Sequence, residues 1–112
     1  MGFIPPDKTT LKCTNTLSKA VAKLWTCITT CQMNAADAAL AHKPFDEDAC
    51  ERTDPKKSCL AKYDKTAAKL TATPGKCPPC LAAPNLAALA DATRAGARAS
   101  RGEVYCAGST PF

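Results

Sequence analysis

The chain has 112 residues, enough for one domain of ordinary size. Its apolar content of 46% consists largely of 22 alanines and eight cysteines, whereas Leu, Ile, Val and Phe together number only 16, about 14% of the chain. Those figures exclude a core built on large side chains, since alanine removes little surface from water at ~25 cal/mol per Å², and the net charge of +5 with only 5% aromatics argues against a base-stacking nucleic-acid surface.

An even number of cysteines in a short chain is the expected substitute for the missing core. Each bridge adds ~2–4 kcal/mol by restricting the unfolded chain, and such bridges persist in oxidising compartments. The expected location is therefore secreted, periplasmic or at the cell surface. Met1 to Asp7 carries neither the basic start nor the apolar stretch of a leader. The chain is accordingly expected to be a mature chain or one domain of a larger exported protein, with residues 1–112 forming a single disulfide-rich helical unit. No run of about 18 apolar residues is present, so no membrane-spanning helix is expected.

Helix signals dominate in chain order. From Asp7, the expected N-cap, to about His42 there is neither Gly nor Pro. Cys13, Leu17, Val21, Leu24, Ile28, Cys31, Ala35 and Ala38 recur at steps of four and three, the stripe of a helix packed on its neighbours. Trp25 lies beside the stripe and Cys27 within its width, while Lys8, Lys12, Lys19 and Lys23 share a solvent-facing side. The pattern leaves open whether this helix is continuous or broken near Asn34. Lys43-Pro44 ends it. Phe45-Asp46-Glu47-Asp48-Ala49-Cys50-Glu51 reads as a short helical turn with acids where the dipole favours them. Asp54 and Pro55 then predict an N-cap and first helical residue. Cys59, Tyr63, Ala67 and Leu70 line one face, with Leu60 alongside, and Lys62, Lys65 and Lys69 line another. Thr73-Pro74-Gly75 stops that helix, and Cys77-Pro78-Pro79-Cys80 must be extended or turned. A last helix is expected from Pro84 to about Ser100. It should turn Leu86, Leu89, Ala90 and Thr93 inward and the row Arg94, Arg98, Arg101 outward, with Gly102 ending it and Val104-Tyr105-Cys106 tied down. The class is all-α: a three- to four-helix antiparallel bundle stapled by about four disulfides.

The cysteines are Cys13, Cys27, Cys31, Cys50, Cys59, Cys77, Cys80 and Cys106, and they allow on the order of a hundred pairings. If the first helix and the Pro55 helix fold back about Pro44, residues equidistant from the turn become neighbours. Cys31 then faces the Cys50 region, Cys27 faces Cys59, and Cys13 reaches the Cys77/Cys80 loop. Cys106 takes the remaining member of that pair. A metal reading rests on Cys27–Cys31 and Cys77–Cys80, whose spacings suit ligands. The isolated Cys13, Cys50, Cys59 and Cys106 favour structural disulfides over a zinc ribbon.

A CX3C helix paired across a hairpin resembles the α-hairpinins and, more loosely, the twin CX9C helical hairpins. Cys50 and Cys59, separated by eight residues, depart from both patterns, and no activity carries over. Phe45-Asp46-Glu47-Asp48-Ala49-Cys50-Glu51 and Cys59-Leu60-Ala61-Lys62-Tyr63 are similar to Cys-rich helical segments of exported bacterial proteins. That resemblance implies export and helicity but no chemistry.

Other candidate chemistry weighs little. Cys77-Pro78-Pro79-Cys80 has the spacing of a redox pair but no βαβ context. His42 is the sole histidine; neither a heme pairing with Met33 nor a hydrolytic triad positions it. Asp46, Glu47, Asp48, Glu51 and Asp54 lack the calcium-loop order and read as helix-start acids. No catalytic or metal residues and no cofactor are therefore expected. The basic rows Lys62, Lys65, Lys69, Arg94, Arg98 and Arg101 are the candidate anion-binding residues, although charged helix faces are usually just solvated. The expected function is an extracellular structural or interaction module without catalysis, meeting a second copy or another surface protein. The alternatives are a cationic binder of anionic glycans or membrane surfaces, and a redox or metal protein using Cys77/Cys80.

Overall fold

The computed structural model describes residues 7–72 and 75–105. Within them lie three α-helices, α1 (Lys8–Leu40), α2 (Cys59–Thr71) and α3 (Ala83–Val104), and one π-helical turn at Ala49–Thr53. No strand occurs among the described residues. The protein is thus an all-α bundle, as its sequence periods predict. No helix among the described residues is long and apolar enough to cross a membrane.

α1 sets the frame. Its 33 residues run unbroken past Asn34, and at a rise of ~1.5 Å per residue they account for the 51 Å long axis of the molecule. The Asp7 carboxylate accepts the Thr10 N–H at 2.8 Å, which satisfies one of the orphan donors of the first turn. The helix ends in a Schellman-type arrangement: Lys43 N–H donates to the Ala38 carbonyl at 2.8 Å and His42 adopts φ 56°. Glycine would enter that conformation without the steric penalty of a side chain.

The stripe of α1 buries as its spacing dictates. Cys13, Leu17, Leu24, Ile28, Cys31 and Ala35 are buried, joined by Ala20 and Gln32, while Val21 and Ala38 are half-buried. Cys59, Tyr63 and Leu70 of α2 meet this stripe with Leu86, Ala90 and Ala97 of α3. Few of these side chains are large, so close approach matters more than volume. Gly96 illustrates it: a Cβ there would lie 3.0 Å from the Trp25 ring. Two buried polar contacts fix the register of α3. Tyr63 Oη donates to the Leu86 carbonyl at 2.8 Å, and Gln32 Nε2 donates to the Ala97 carbonyl at 3.1 Å. α3 therefore runs antiparallel to α2 and alongside α1 in the same direction.

Three bridges clamp the frame: Cys31–Cys50, Cys27–Cys59 and Cys13–Cys77. As the number falls along α1 it rises along the rest of the chain, which is the nested pattern of an antiparallel fold-back. The loops they close span 19, 32 and 64 residues. In the chain-entropy account each bridge contributes about 3 to 4 kcal/mol. This offsets the thin core.

Several expectations change. α2 begins at Cys59 rather than at Pro55, because Asp54 accepts the N–H groups of Lys56 and Lys57 in a local turn while Ser58 caps the helix through the Ala61 N–H. The acidic segment forms a π-turn, with Ala49 and Cys50 at its start. α3 continues through Gly102 to Val104, four residues beyond the predicted end, and Val104 is exposed there. Cys77 is bonded to Cys13, so it does not form a redox pair with Cys80. Cys80 is exposed and has no disulfide partner among the described residues. Cys106, its expected partner, lies outside those residues.

The arginine row does not point outward. Arg94 Nε contacts the Glu51 carboxylate at 3.1 Å and Arg98 Nε contacts it at 3.4 Å. Arg101 contacts Glu47 at 2.7 Å, and Arg94 Nη2 reaches Asp48 at 3.3 Å. The acids of the π-turn segment are the counter-charges of α3, brought together across more than 40 positions of sequence.

A lysine-rimmed cleft over paired disulfides

The bridges Cys27–Cys59 and Cys31–Cys50 are neighbours because Cys27 and Cys31 stand one turn apart on α1. Their partners come from the start of α2 and from the π-turn. The Sγ atoms of Cys31 and Cys59, which are not bonded to each other, lie 3.6 Å apart. Cys31 and Cys59 are buried, and Cys27 and Cys50 are half-buried.

Above this pair of bridges opens a cleft of about 610 Å³ between α1, the π-turn and α2. Its uncharged floor consists of Cys27, Cys31 and Cys50 with Ala22, Thr26 and Thr30, and its rim carries Lys23, Lys57 and Lys62. A smaller depression of about 270 Å³ shares Lys23, Cys27 and Lys62 and extends towards Tyr63 and Thr66. The size falls in the range of pockets that hold small ligands, ~300–1,000 Å³.

Three lysines are grouped around the cleft. Among the described residues every ion pair uses an arginine. Like the other lysines, Lys23, Lys57 and Lys62 have no carboxylate partner among the described residues, and all three are exposed. Asp54 feels the Lys57 charge but is committed to the turn. Backbone N–H groups of Lys56 and Lys57 hold its carboxyl below the usual aspartate value. Three cations around a small-residue floor attract an anion, with little desolvation to overcome at the rim.

Of the candidate anion-binding residues, the structure places Lys62 at the cleft. Lys65 and Lys69 continue along α2 outside it, both exposed. Arg94, Arg98 and Arg101 lie away from the cleft and pair with Glu47, Asp48 and Glu51. Lys23 and Lys57 join the site without having been singled out. A signal for them exists in the sequence: Lys23 lies one helical turn before Cys27 and Lys57 two residues before Cys59, so the bridge between those cysteines draws both lysines to one level.

The seam formed by the arginines has the opposite character. The Glu51 side chain is fully buried, and its Oε2 has no hydrogen-bond partner among the described residues. Burial pushes its carboxyl above the usual glutamate value. Arg98 opposes that rise, Glu47 adds to it, and Arg94 opposes it in turn. Exposed His42 and Met33 are not drawn into the cleft.

No family model, curated protein or solved structure matches this chain.

Proposed function

We propose that the protein is a disulfide-stapled interaction module of an oxidising, extracytoplasmic compartment, and that it binds an anionic amphiphile in the lysine-rimmed cleft. The observation that carries this reading is the grouping of Lys23, Lys57 and Lys62, none with a carboxylate partner among the described residues, around a floor of sulfur and small side chains. The floor suits an acyl chain or ring system, and the rim suits a carboxylate, sulfate or phosphate head. A rim of cations alone would equally suit an anionic glycan, but the uncharged floor favours a ligand with an apolar body. Binding of this kind needs no catalysis, and the bridges keep the cleft preformed, which lowers the ordering penalty on association.

Calorimetric titration with monomeric dodecyl sulfate and with a heparin oligosaccharide tests the reading. The expected result is saturable binding of the amphiphile that weakens at least tenfold in the Lys23→Ala/Lys57→Ala/Lys62→Ala variant and falls with added salt. Tighter binding of the heparin fragment would move the assignment to a glycan. Absence of both at low salt would remove the anion reading altogether.

A second reading rests on a different face, between α1 and α3. Trp25, Met33 and Val104, which are 41%, 53% and 70% exposed, surround a depression of about 390 Å³ between α1 and α3. Such a patch is the kind of surface a second copy or another surface protein covers. Concentration-dependent sedimentation that disappears in Met33→Glu is its test.

A further inference from the structure

We propose that Cys27, Cys31, Cys50 and Cys59 form a redox-gated metal site, two disulfides when oxidised and a four-thiolate zinc site when both bridges are reduced. The inference does not rest on the anion reading, since it starts from the sulfurs beneath the cleft and requires no bound anion.

The argument starts from convergence. Sulfurs from three separate elements meet here, and those of Cys27, Cys31 and Cys59 all lie within 4.8 Å of one another. The fourth, from Cys50, is bonded to Cys31 but lies outside that mutually close group of three. Two adjacent staples are not required to approach this closely, yet the Sγ atoms of Cys31 and Cys59 are 3.6 Å apart without a bond. A tetrahedral zinc site with Zn–S of ~2.3 Å has sulfur–sulfur edges of about 3.8 Å. One edge is therefore already at ligand spacing. Reduction would let the two bonded pairs open towards that distance, with Cys50 on the π-turn having to move closer to the other three.

The surroundings suit the reduced, metal-bound state as well. Four thiolates around Zn²⁺ leave a net charge of −2, and Lys23, Lys57 and Lys62 stand at the rim to compensate it. Nearby cations also lower the proton affinity of thiols and so favour the ligating form. Cys31 and Cys59 are buried, which protects the site, whereas half-buried Cys27 and Cys50 offer an entrance from the cleft. The remaining bridge, Cys13–Cys77, has no such neighbour among the described residues.

The chemistry balances with a dithiol as the reductant. Each bridge accepts two electrons and two protons as one dithiol closes to its cyclic disulfide, so two dithiols yield four cysteine thiols. Zn²⁺ then displaces their protons and keeps its oxidation state. Oxidation of the thiolates by a disulfide releases the ion and restores both bridges.

The test uses Co²⁺ as the spectroscopic probe and Zn²⁺ as the competitor, on the full chain reduced with a phosphine. One Co²⁺ per chain is expected, with intense thiolate-to-cobalt charge transfer and tetrahedral d–d bands that equimolar Zn²⁺ abolishes. The oxidised protein should show none of this. The variant Cys13→Ser/Cys77→Ser/Cys80→Ser/Cys106→Ser retains only the four proposed ligands and should keep the spectrum. Adding Cys31→Ser to that variant should weaken Co²⁺ binding at least 100-fold. Circular dichroism addresses the case in which reduction unfolds the chain: Zn²⁺ should then restore helicity to the four-cysteine variant. The proposal is overturned if that variant binds no Co²⁺ and gains no helicity with Zn²⁺, or if Cys31→Ser leaves binding unchanged.

Discussion

Two cationic surfaces of this protein carry similar residues and do opposite things. On α3, Arg94, Arg98 and Arg101 lie against the carboxylates of Glu47, Asp48 and Glu51 and join the last helix to the acidic turn. Around the cleft, Lys23, Lys57 and Lys62 have no carboxylate partner among the described residues. The difference teaches that a basic stripe acquires its meaning from what faces it. Guanidinium groups, planar and weakly hydrated, suit the partly buried seam, and strongly hydrated ammonium groups suit the open rim.

The comparison breaks first at the seam. Replacing Arg94 and Arg98 together with methionine leaves Glu51 buried without its two cations. A loss of about 3 kcal/mol of unfolding free energy is expected, measured by urea denaturation. If stability falls by less than a surface substitution does, the seam is not the clamp described here.

The next largest effect sharpens the same point through pH. Burial raises the Glu51 carboxyl above its ordinary value of 4.5, so the folded protein holds that proton more tightly than the unfolded chain does. Its contribution to stability is therefore fully present below pH 4.5 and is lost as pH rises through the raised value. Relative to Glu51→Gln, the natural protein should lose stability over that rise. Asp7 and Asp54 act in the reverse sense. Both are depressed by backbone N–H groups, so their contributions are present above the ordinary value of 3.8 and are lost as pH falls. Chemical denaturation of natural protein and Glu51→Gln at a series of pH values separates the two, and parallel profiles would contradict the assignment to Glu51.

Between the two surfaces stands a neutral reference. Tyr63→Phe removes a single buried hydrogen bond to the Leu86 carbonyl and should lower stability by about 1 kcal/mol. The smallest effect belongs to the rim: each of Lys23→Ala, Lys57→Ala and Lys62→Ala should change stability by less than about 0.5 kcal/mol. A larger loss would mean that those lysines support the fold, and would make the two surfaces alike.

Much of the fold was legible residue by residue. The steps of four and three from Cys13 to Ala35 identified the buried side of α1, because a helix turns its side chains through a fixed angle. Asp7 was legible as a cap because its partner, Thr10, is only three residues away. The pairing of Cys31 with Cys50 and of Cys27 with Cys59 followed from counting outward from Pro44. The start of α2 was not legible in the same way. Asp54-Pro55 and Ser58 are both good caps, and only the burial of Ser58 and Cys59 against α1 selects the second.

The cleft was legible only in its parts. Lys62 was in view from the pattern of α2, yet nothing local distinguishes it from Lys65 or Lys69. Lys23 looked like one more solvated lysine of α1 until the Cys27–Cys59 bridge placed it across from α2. The arginine row was read as facing water for the same reason: its carboxylates are more than 40 positions distant along the chain.

By itself the sequence determined the all-helical class, the buried stripes and the dependence on disulfides, since these follow from periods, caps and a scarcity of large apolar residues. Tertiary structure alone decided which charges meet, which lysines surround a cleft and which sulfurs of different bridges approach to 3.6 Å. Those distances depend on how helices from distant parts of the chain are brought into contact, and no local pattern encodes that.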